Sequence, residues 1–303
     1  PLYIFCGEYL LCARLRQADQ DGAAGTQEEL ARIIGRIRQS WPQTRIIVRG
    51  DSGFCREDLM VWCETHAVDY VLGIAKNSRL KSAIAAEMAQ AKAQYEGTEQ
   101  AARVFKDFHY RTRKSWSRER RVMGKAEHLA KGENPRFVVT SLSAETLDAR
   151  ALYEELYCAR GDMENRIKEQ QLALFADRTS THEIRSNQLR LYFSSFAYVL
   201  MQTLRRLGLE GTALARAQCD TIRLKLFKIG AHIRIIGLPY GCSVQIDSKV
   251  ALANDAVEDG VGESTRQAPI GCSGKRAIQV AAIGEVPLVS LESQHVDDGQ
   301  QDQ

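Results

Sequence analysis

RIIVRGDSGFCREDLMVWCETHAVDYVLGI, at residues 45–74, alternates strand-like and helix-like segments. Its two apolar runs, at 45–50 and 69–74, are short and carry β-branched side chains, which predicts two buried strands. Residues 55–66 between them read as a helix, and a further helix is predicted at 27–40. Helix–strand–helix–strand is the order of an α/β fold, so we predict a mixed sheet with flanking helices.

The segments around this stretch extend the same pattern. Two short apolar runs, at 2–6 and 9–14, predict a hairpin. A helical stretch at 79–93 precedes residues 101–136, where polar residues alternate with apolar or aromatic ones, as in exposed antiparallel strands. FVVTSL, at 137–142, again has the composition of a buried strand.

The remainder of the chain is predicted to be helical and then irregular. Residues 145–175 read as a long helical segment, and 186–208 as a helix with an apolar stripe. The stripe consists of Leu189, Leu191, Phe193, Phe196, Leu200 and Leu204. From residue 240 onward no periodicity is left, so we predict a tail without regular structure.

Charge is distributed unevenly along the chain. The net charge is +3, but residues 240–303 contain ten Asp or Glu and only four Lys or Arg, so the body is basic. Residues 101–136 contain eleven Lys or Arg against four Asp or Glu. A basic segment with an aromatic side chain suits a nucleic acid, although an exposed strand with one core-facing Trp explains the same pattern. The candidate DNA contacts are Lys114, Trp116, Arg118, Arg120 and Arg121.

Two classes of protein are not expected from the composition. No apolar run approaches the roughly 18 residues that span a bilayer, and no secretion signal is visible, so we expect a cytoplasmic protein. The eight cysteines include no CxxC pair and no histidines clustered at ligand spacing. Neither a zinc site nor a disulfide framework is therefore expected.

Asp51 is the first candidate site residue. It directly follows the predicted strand at 45–50, and open α/β sheets commonly hold ligands and metals at the carboxyl ends of their strands. An aspartate in this place also commonly accepts a hydrogen bond from its own backbone at a turn. The residue types alone leave both interpretations open.

A second candidate site lies in YCARGDMENRIKEQQ, at residues 157–171. On a regular helix five of its side chains fall on one face, since they are three or four residues apart: Tyr157, Arg160, Glu164, Lys168 and Gln171. A solvated stripe of weak ion pairs explains this pattern as well. A functional role is favoured by the tyrosine on the same face and by the position of the helix after a strand, where Glu164 would point toward Asp51.

These two segments resemble the second and third acidic motifs of bacterial insertion-sequence DDE transposases. The chain is similar to the group known as transposase DDE domain group 1, and within it to the insertion-sequence family thirteen-eighty. The similarity runs over residues 1–236 and includes ADRTS at 176–180 and NQLRL at 187–191.

The resemblance implies an RNase H-like α/β fold whose mixed sheet is interrupted by a β-rich insertion between the second Asp and the Glu. The catalytic core would comprise residues 1–100 and 137–236, the basic insertion 101–136, and the acidic tail 237–303, which is disordered or frameshifted.

The resemblance also implies the chemistry. Asp51 and Glu164 would be catalytic and would bind two Mg²⁺ ions, for which Mn²⁺ substitutes, in cut-and-paste DNA transposition. Tyr157, Arg160, Lys168 and Gln171 would contact DNA, with Gln171 standing where related sequences carry Lys. The partners would be terminal inverted repeats, target DNA and a second copy of the chain in a synaptic complex, at the bacterial nucleoid.

One departure from the family affects activity. The family's first catalytic aspartate lies on a strand that would precede residues 1–6, so we expect an amino-terminally truncated chain that is inactive on its own. A catalytically dead DNA-binding remnant is therefore the alternative function. A different RNase H-like nuclease is a third interpretation, which the tyrosine–arginine–glutamate pattern disfavours.

Overall fold

The fold is built on a large mixed sheet. The computed structural model describes residues 1–17, 19–228, 232–238, 241–247 and 278–283, with the backbone alone for residue 160 and the last three ranges. Its strands are β1 (Leu2–Cys6), β2 (Tyr9–Arg14), β3 (Ile46–Gly50), β4 (Asp69–Ile74), β5 (Ala102–Tyr110), β6 (Arg120–Leu129), β7 (Gly132–Glu133), β8 (Arg136–Thr140), β9 (His232–Leu238), β10 (Gly241–Asp247) and β11 (Ile278–Ile283). Its α-helices are α1 (Thr26–Ser40), α2 (Glu57–Thr65), α3 (Ser78–Ala83), α4 (Ala85–Thr98), α5 (Ala149–Ala151), α6 (Gly161–Lys168), α7 (Ile184–Leu207) and α8 (Cys219–Ile222).

The strand order explains why the sheet is mixed. It runs β2-β1-β11-β3-β4-β8-β6-β5, with β7 paired to β6, while β9 and β10 form a separate pair. β3 and β4 are parallel, and α2 makes the crossover that parallel neighbours require. β11 is antiparallel to β1 and parallel to β3, and the strands beyond β4 are antiparallel. The prediction of a mixed α/β sheet is confirmed.

Helices cover both faces of this sheet. On one face α1 to α4 pack against side chains such as Ile46, Val48 and Tyr70, which belong to the largest apolar core. On the other face Ile47 and Val71 pack against Leu152 and Leu156. Because β3 is buried on both faces, its residues 46–48 are all apolar rather than alternating with polar ones.

The basic segment at 101–136 forms β5, β6 and β7, which continue the main sheet through β8. Its strands are as predicted, but their expected exposure is wrong for β6, which is buried along most of its length. The reason is that α4 packs on β5 and β6. Ile84 lies so close to Gly124 that a Cβ on this glycine would be 2.7 Å from Ile84 Cγ2. A larger residue at 124 would therefore push the helix off the sheet.

A broken helical segment, residues 149–173, crosses the second face of the sheet. We call it the crossing segment. It passes from α5 through a π-helical stretch (Leu152–Tyr157) and a 3₁₀ turn (Cys158–Arg160) into α6, and ends in a second π-helical stretch (Glu169–Ala173). The sequence predicted a long helical segment here, interrupted by Gly161. Because the pitch changes four times, a period of 3.6 residues does not say which of its side chains share a face.

Helix α7 lies close to its predicted bounds, but the face that it buries is not the predicted apolar stripe. It buries Leu191, Ser194, Tyr198 and Met201. Most of the predicted apolar stripe is exposed, namely Leu189, Phe193, Phe196 and Leu200. Leu189 and Phe196 border a groove of about 1150 Å³ between α7, β2 and α1, which Leu11 and Arg32 also line. None of the described helices is long and apolar enough to cross a bilayer.

The predicted tail without regular structure lies mostly outside the described residues. Where the structure describes it, Gly241–Asp247 and Ile278–Ile283 are strands, which the prediction did not include. The second of these reads IQVAAI, a short apolar run of the kind that suits an inner strand of a sheet. A run of six residues is too short to show a period among polar neighbours, which is why it was missed.

Candidate active site at the carboxyl end of β3

Asp51 leaves β3 with extended backbone and caps the turn that follows. Its Oδ1 accepts a hydrogen bond from the Gly53 N–H at 2.8 Å. A Cβ on Gly53 would lie 2.9 Å from the same oxygen, so a glycine is needed there. Ile47 faces the crossing segment, and alternation along an extended chain directs Asp51 toward the same face. The carboxylate is thus fixed by its own turn and directed toward the helical layer.

Tyr157 lies next to the Asp51 turn because β4 has a glycine at the contact. A Cβ on Gly73 would lie 2.6 Å from the Tyr157 hydroxyl and 3.1 Å from the Ser52 backbone nitrogen. The hydroxyl and the Asp51–Ser52 peptide therefore both lie over Gly73. The sequence analysis missed this glycine, although a lone glycine inside a strand indicates a close backbone approach.

Arg49 ties β3 to the crossing segment one residue before Tyr157. Its side chain is buried, and Nη1 donates to the Leu156 carbonyl oxygen at 2.7 Å. This hydrogen bond fixes the height of the crossing segment above the strand that carries Asp51. Sequence reasoning missed this residue too, and the available signal was an arginine inside an otherwise apolar strand.

Glu164 lies seven residues further along the crossing segment, on α6. It is half-buried, and its neighbours Met163 and Ile167 pack against Tyr3 and Phe5 of β1. Lys168 is exposed and Gln171 half-buried, while the side chain of Arg160 lies outside the described part of the structure. The structure thus brings Tyr157 to Asp51 and carries Glu164 toward β1, so the five predicted residues do not form one helical stripe.

Three predicted DNA contacts on the basic segment do not agree with the structure. Arg120 is buried and donates to both Glu57 and Glu64, with its closest contacts at 2.8 Å. Trp116 is buried against Tyr110. Arg121 makes a two-pronged pair with Asp107 at 2.9 Å and donates to two carbonyl oxygens. Trp116 is thus buried, and the guanidinium groups of Arg120 and Arg121 already donate to other residues. The prediction that these three residues contact DNA is therefore corrected.

The exposed members of the same set remain available. Lys114 is exposed, and Arg118 has 60% of its side chain exposed while pairing with Glu64 at 2.8 Å. Burial alone would raise the pKa of Glu64, but hydrogen bonds from Arg120, Arg118 and Tyr70 outweigh it and lower the pKa to about 2. The pKa of Arg120 is raised, because its bonds to Glu64 and Glu57 outweigh its burial. This cluster is a structural ion-pair network.

The carboxylate oxygens of Asp51 and Glu164 are ligands of the type that hard divalent cations prefer. Among the described residues, however, no group of three or more His, Cys, Asp or Glu side chains is placed to hold a metal ion. The described part of the chain therefore does not complete a two-ion centre by itself.

The fold and site define an α/β protein with an acidic residue at a strand end, beneath a helical segment that carries a tyrosine and a glutamate. Residues 1–237 match the family described as transposase DDE domain group 1, and the chain belongs to this family. The family is one of DNA-cleaving transposition enzymes that generally use divalent metal ions and act on DNA. No curated protein matches the sequence of the chain.

Proposed function

We propose that the chain is by descent a cut-and-paste transposase of an insertion sequence of family thirteen-eighty. The observation that carries this proposal is the meeting of the Tyr157 hydroxyl with the Asp51 turn over Gly73, in a chain of the DDE family. A tyrosine held at an acidic strand end by a glycine is a costly arrangement for a purely structural contact, since it forbids any side chain at residue 73. We propose an RNase H-like core in which 101–136 is the insertion.

In this proposal Asp51 and Glu164 are the catalytic carboxylates. They would bind Mg²⁺, with Mn²⁺ as a substitute, because both offer only oxygen ligands. Tyr157, Arg160, Lys168 and Gln171 would contact the DNA end, and the exposed Lys114 and Arg118 would contact its flank. Gln171 cannot neutralise a phosphate, so it would contribute less to binding than a lysine.

Activity of this chain alone is proposed to be low. The described residues supply two of the carboxylates that a two-ion site needs, and none of them adds a third ligand side chain to make a group. The same observation favours the alternative function, a DNA-binding remnant that occupies transposon ends without cutting them.

One experiment separates the enzyme from the remnant. Labelled duplexes that carry the ends of the chain's own element are incubated with the protein and Mg²⁺ or Mn²⁺, and binding and strand cleavage are measured together. Cleavage that disappears in Asp51→Asn and Glu164→Gln, but not in the exposed control Glu155→Gln, supports the enzyme. Binding without cleavage supports the remnant, and neither binding nor cleavage overturns the proposal.

Gly73→Ala tests the geometry of the site directly. The added methyl group would displace the Tyr157 hydroxyl, so end binding or cleavage should fall even though residue 73 touches no DNA. Tyr157→Phe removes only the hydroxyl and serves as the matched variant. Equal behaviour of Gly73→Ala and the wild type would show that the Tyr157 contact has no role.

We further propose a homodimer, since two transposon ends must be cut together, and a location at the bacterial nucleoid. Light scattering with and without end DNA tests the first proposal. A single copy of the chain on paired ends would contradict it.

A further inference from the structure

Two arginines and one phenylalanine form an exposed cluster just after the crossing segment. The Arg178 Cζ lies 4.0 Å from the centre of the Phe175 ring, and the Arg223 Cζ lies 4.8 Å from it. Phe175 itself is 41% exposed, so the cluster faces solvent. We call these three residues the arginine clamp.

The backbone at Phe175 is strained. Its φ is +62°, a left-handed backbone conformation that residues other than glycine and asparagine rarely adopt. The residue stands directly after the helical segment ends, where Leu174 and Ala176 both donate backbone N–H groups to the Gln170 carbonyl oxygen. Helices usually place glycine at this left-handed position. A phenylalanine there needs a reason outside helix termination.

The neighbouring contacts hold the clamp in one conformation. Arg223 Nη1 donates to the Ala173 carbonyl oxygen, and Arg190 Nη1 donates to Ser180 Oγ at 3.0 Å. Ala176 is buried in the same apolar cluster as Met163 and Ile167 of α6. The loop is therefore anchored on both sides of the exposed ring, and the two guanidinium groups are pre-organised around it.

No described acid neutralises the charges of the clamp. In the part of the chain that the structure describes, no carboxylate forms an ion pair with Arg178, Arg190 or Arg223; Asp177, next in sequence to Arg178, offers only its backbone oxygen to Thr179. Both guanidinium carbons lie within 5 Å of one ring centre, which places two positive charges beside a single exposed ring.

We propose that Phe175, Arg178 and Arg223 form a phosphate-binding site for the DNA backbone. The ring keeps the two guanidinium planes in place, and their outward N–H groups donate to the free oxygens of one phosphodiester. The contact carries no sequence information, since phosphates are alike along the duplex. This inference rests on the proposed function for its ligand, DNA, but its residues are distinct from Asp51 and Glu164.

The test measures duplex affinity by fluorescence anisotropy over a series of salt concentrations, with a fluorescein-labelled random-sequence duplex. Arg178→Gln combined with Arg223→Gln should weaken binding about tenfold at low salt and reduce the slope of log affinity against log salt by about 0.9, the value for one phosphate. The control removes two exposed charges from the other face of the sheet, with Arg36→Gln and Lys81→Gln, and should change affinity less than about twofold.

Phe175→Gly separates a binding role from a structural one. Glycine relieves the backbone strain and removes the ring, so thermal stability should be kept while duplex affinity falls about threefold. Equal losses in the clamp and control double variants would overturn the site, as would unchanged affinity in both. If the wild-type chain binds no duplex at all, the DNA partner of the proposed function fails together with the site.

Discussion

The basic segment at 101–136 and the loop that carries the arginine clamp use their positive charges in opposite ways. In the basic segment Arg120 is buried between Glu57 and Glu64, and Arg121 is paired with Asp107. In the clamp, Arg178 and Arg223 lie on an exposed aromatic ring, and no described carboxylate pairs with them. An excess of positive charge in the sequence therefore does not locate a phosphate-binding surface. We expect such a surface where exposed arginines have no carboxylate partner among the described residues.

The physical reason is the cost of separating a buried pair. If Arg120 turned toward a phosphate, the half-buried Glu57 would lose its cation and Glu64 would keep only the exposed Arg118. An arginine stacked on an exposed ring loses no such partner when it binds an anion, and its guanidinium is already ordered.

Replacing Arg120 by methionine should have the largest effect. The change removes the buried arginine that donates to both Glu57 and Glu64 and leaves only the exposed Arg118 beside Glu64, so we expect the free energy of unfolding to fall by about 3–5 kcal/mol, measured by urea denaturation. Arg118→Met is the matched control, because Arg118 pairs with the same Glu64 from an exposed position, and it should cost under about 1 kcal/mol. Equal effects of the two changes would remove the distinction between buried and exposed pairs.

Acid should weaken the same network through Glu64. Its pKa is about 2 in the folded chain against 4.5 ordinarily, so the carboxylate stabilises the fold above pH 4.5 and loses this contribution as the pH falls toward 2. Wild type and Glu64→Gln should therefore differ in unfolding free energy by about 2 kcal/mol near neutral pH. The difference should shrink below about pH 4. A difference that stays constant with pH would contradict the pairing.

Removal of the clamp's ring should not lower the free energy of unfolding, in contrast to the loss expected for Arg120. Phe175→Gly removes a left-handed side chain but also makes the unfolded chain more flexible, so the free energy of unfolding should stay the same or rise by up to about 1 kcal/mol. Urea denaturation measures this variant beside Tyr110→Gly, which removes a buried ring from another part of the fold and should destabilise it. A loss of several kcal/mol in Phe175→Gly would mean that the ring is part of the core.

The smallest effect is expected from the exposed charges of the basic segment. Lys114→Gln combined with Arg118→Gln should lower duplex affinity by no more than about threefold, since flexible surface charges add only to general attraction. The fluorescence-anisotropy assay that tests the clamp also measures this duplex affinity. A larger loss than in Arg178→Gln with Arg223→Gln would reverse the comparison and restore the basic segment as the main DNA surface.

The elements that local patterns determine were predictable. β3 and β4 are short apolar runs buried on both faces, and α1 has its apolar side chains at helical spacing, so neighbouring residues suffice to identify them. Asp51 was predictable as a candidate because it directly follows such a run. Its hydrogen bond to Gly53 also confirms the second interpretation, a turn aspartate, without excluding the first.

The features that depend on distant partners were not predictable. Arg120 is buried because Glu57 and Glu64, 63 and 56 residues away, meet it. The crossing segment changes pitch while it packs on the sheet, so a regular helix predicted the wrong set of side chains on one face. The exposed stripe of α7 could not be distinguished from a buried one, because both have the same spacing.

Hydrogen–deuterium exchange with and without a random-sequence duplex reports both basic regions in one measurement. We predict clearly slower exchange on DNA binding in peptides that cover residues 174–182 and 219–227, and a smaller change in the loop at 111–119. Protection of the 111–119 loop, with no change around Phe175 and Arg223, would contradict the claim that unpaired arginines rather than local charge excess mark the DNA-binding surface.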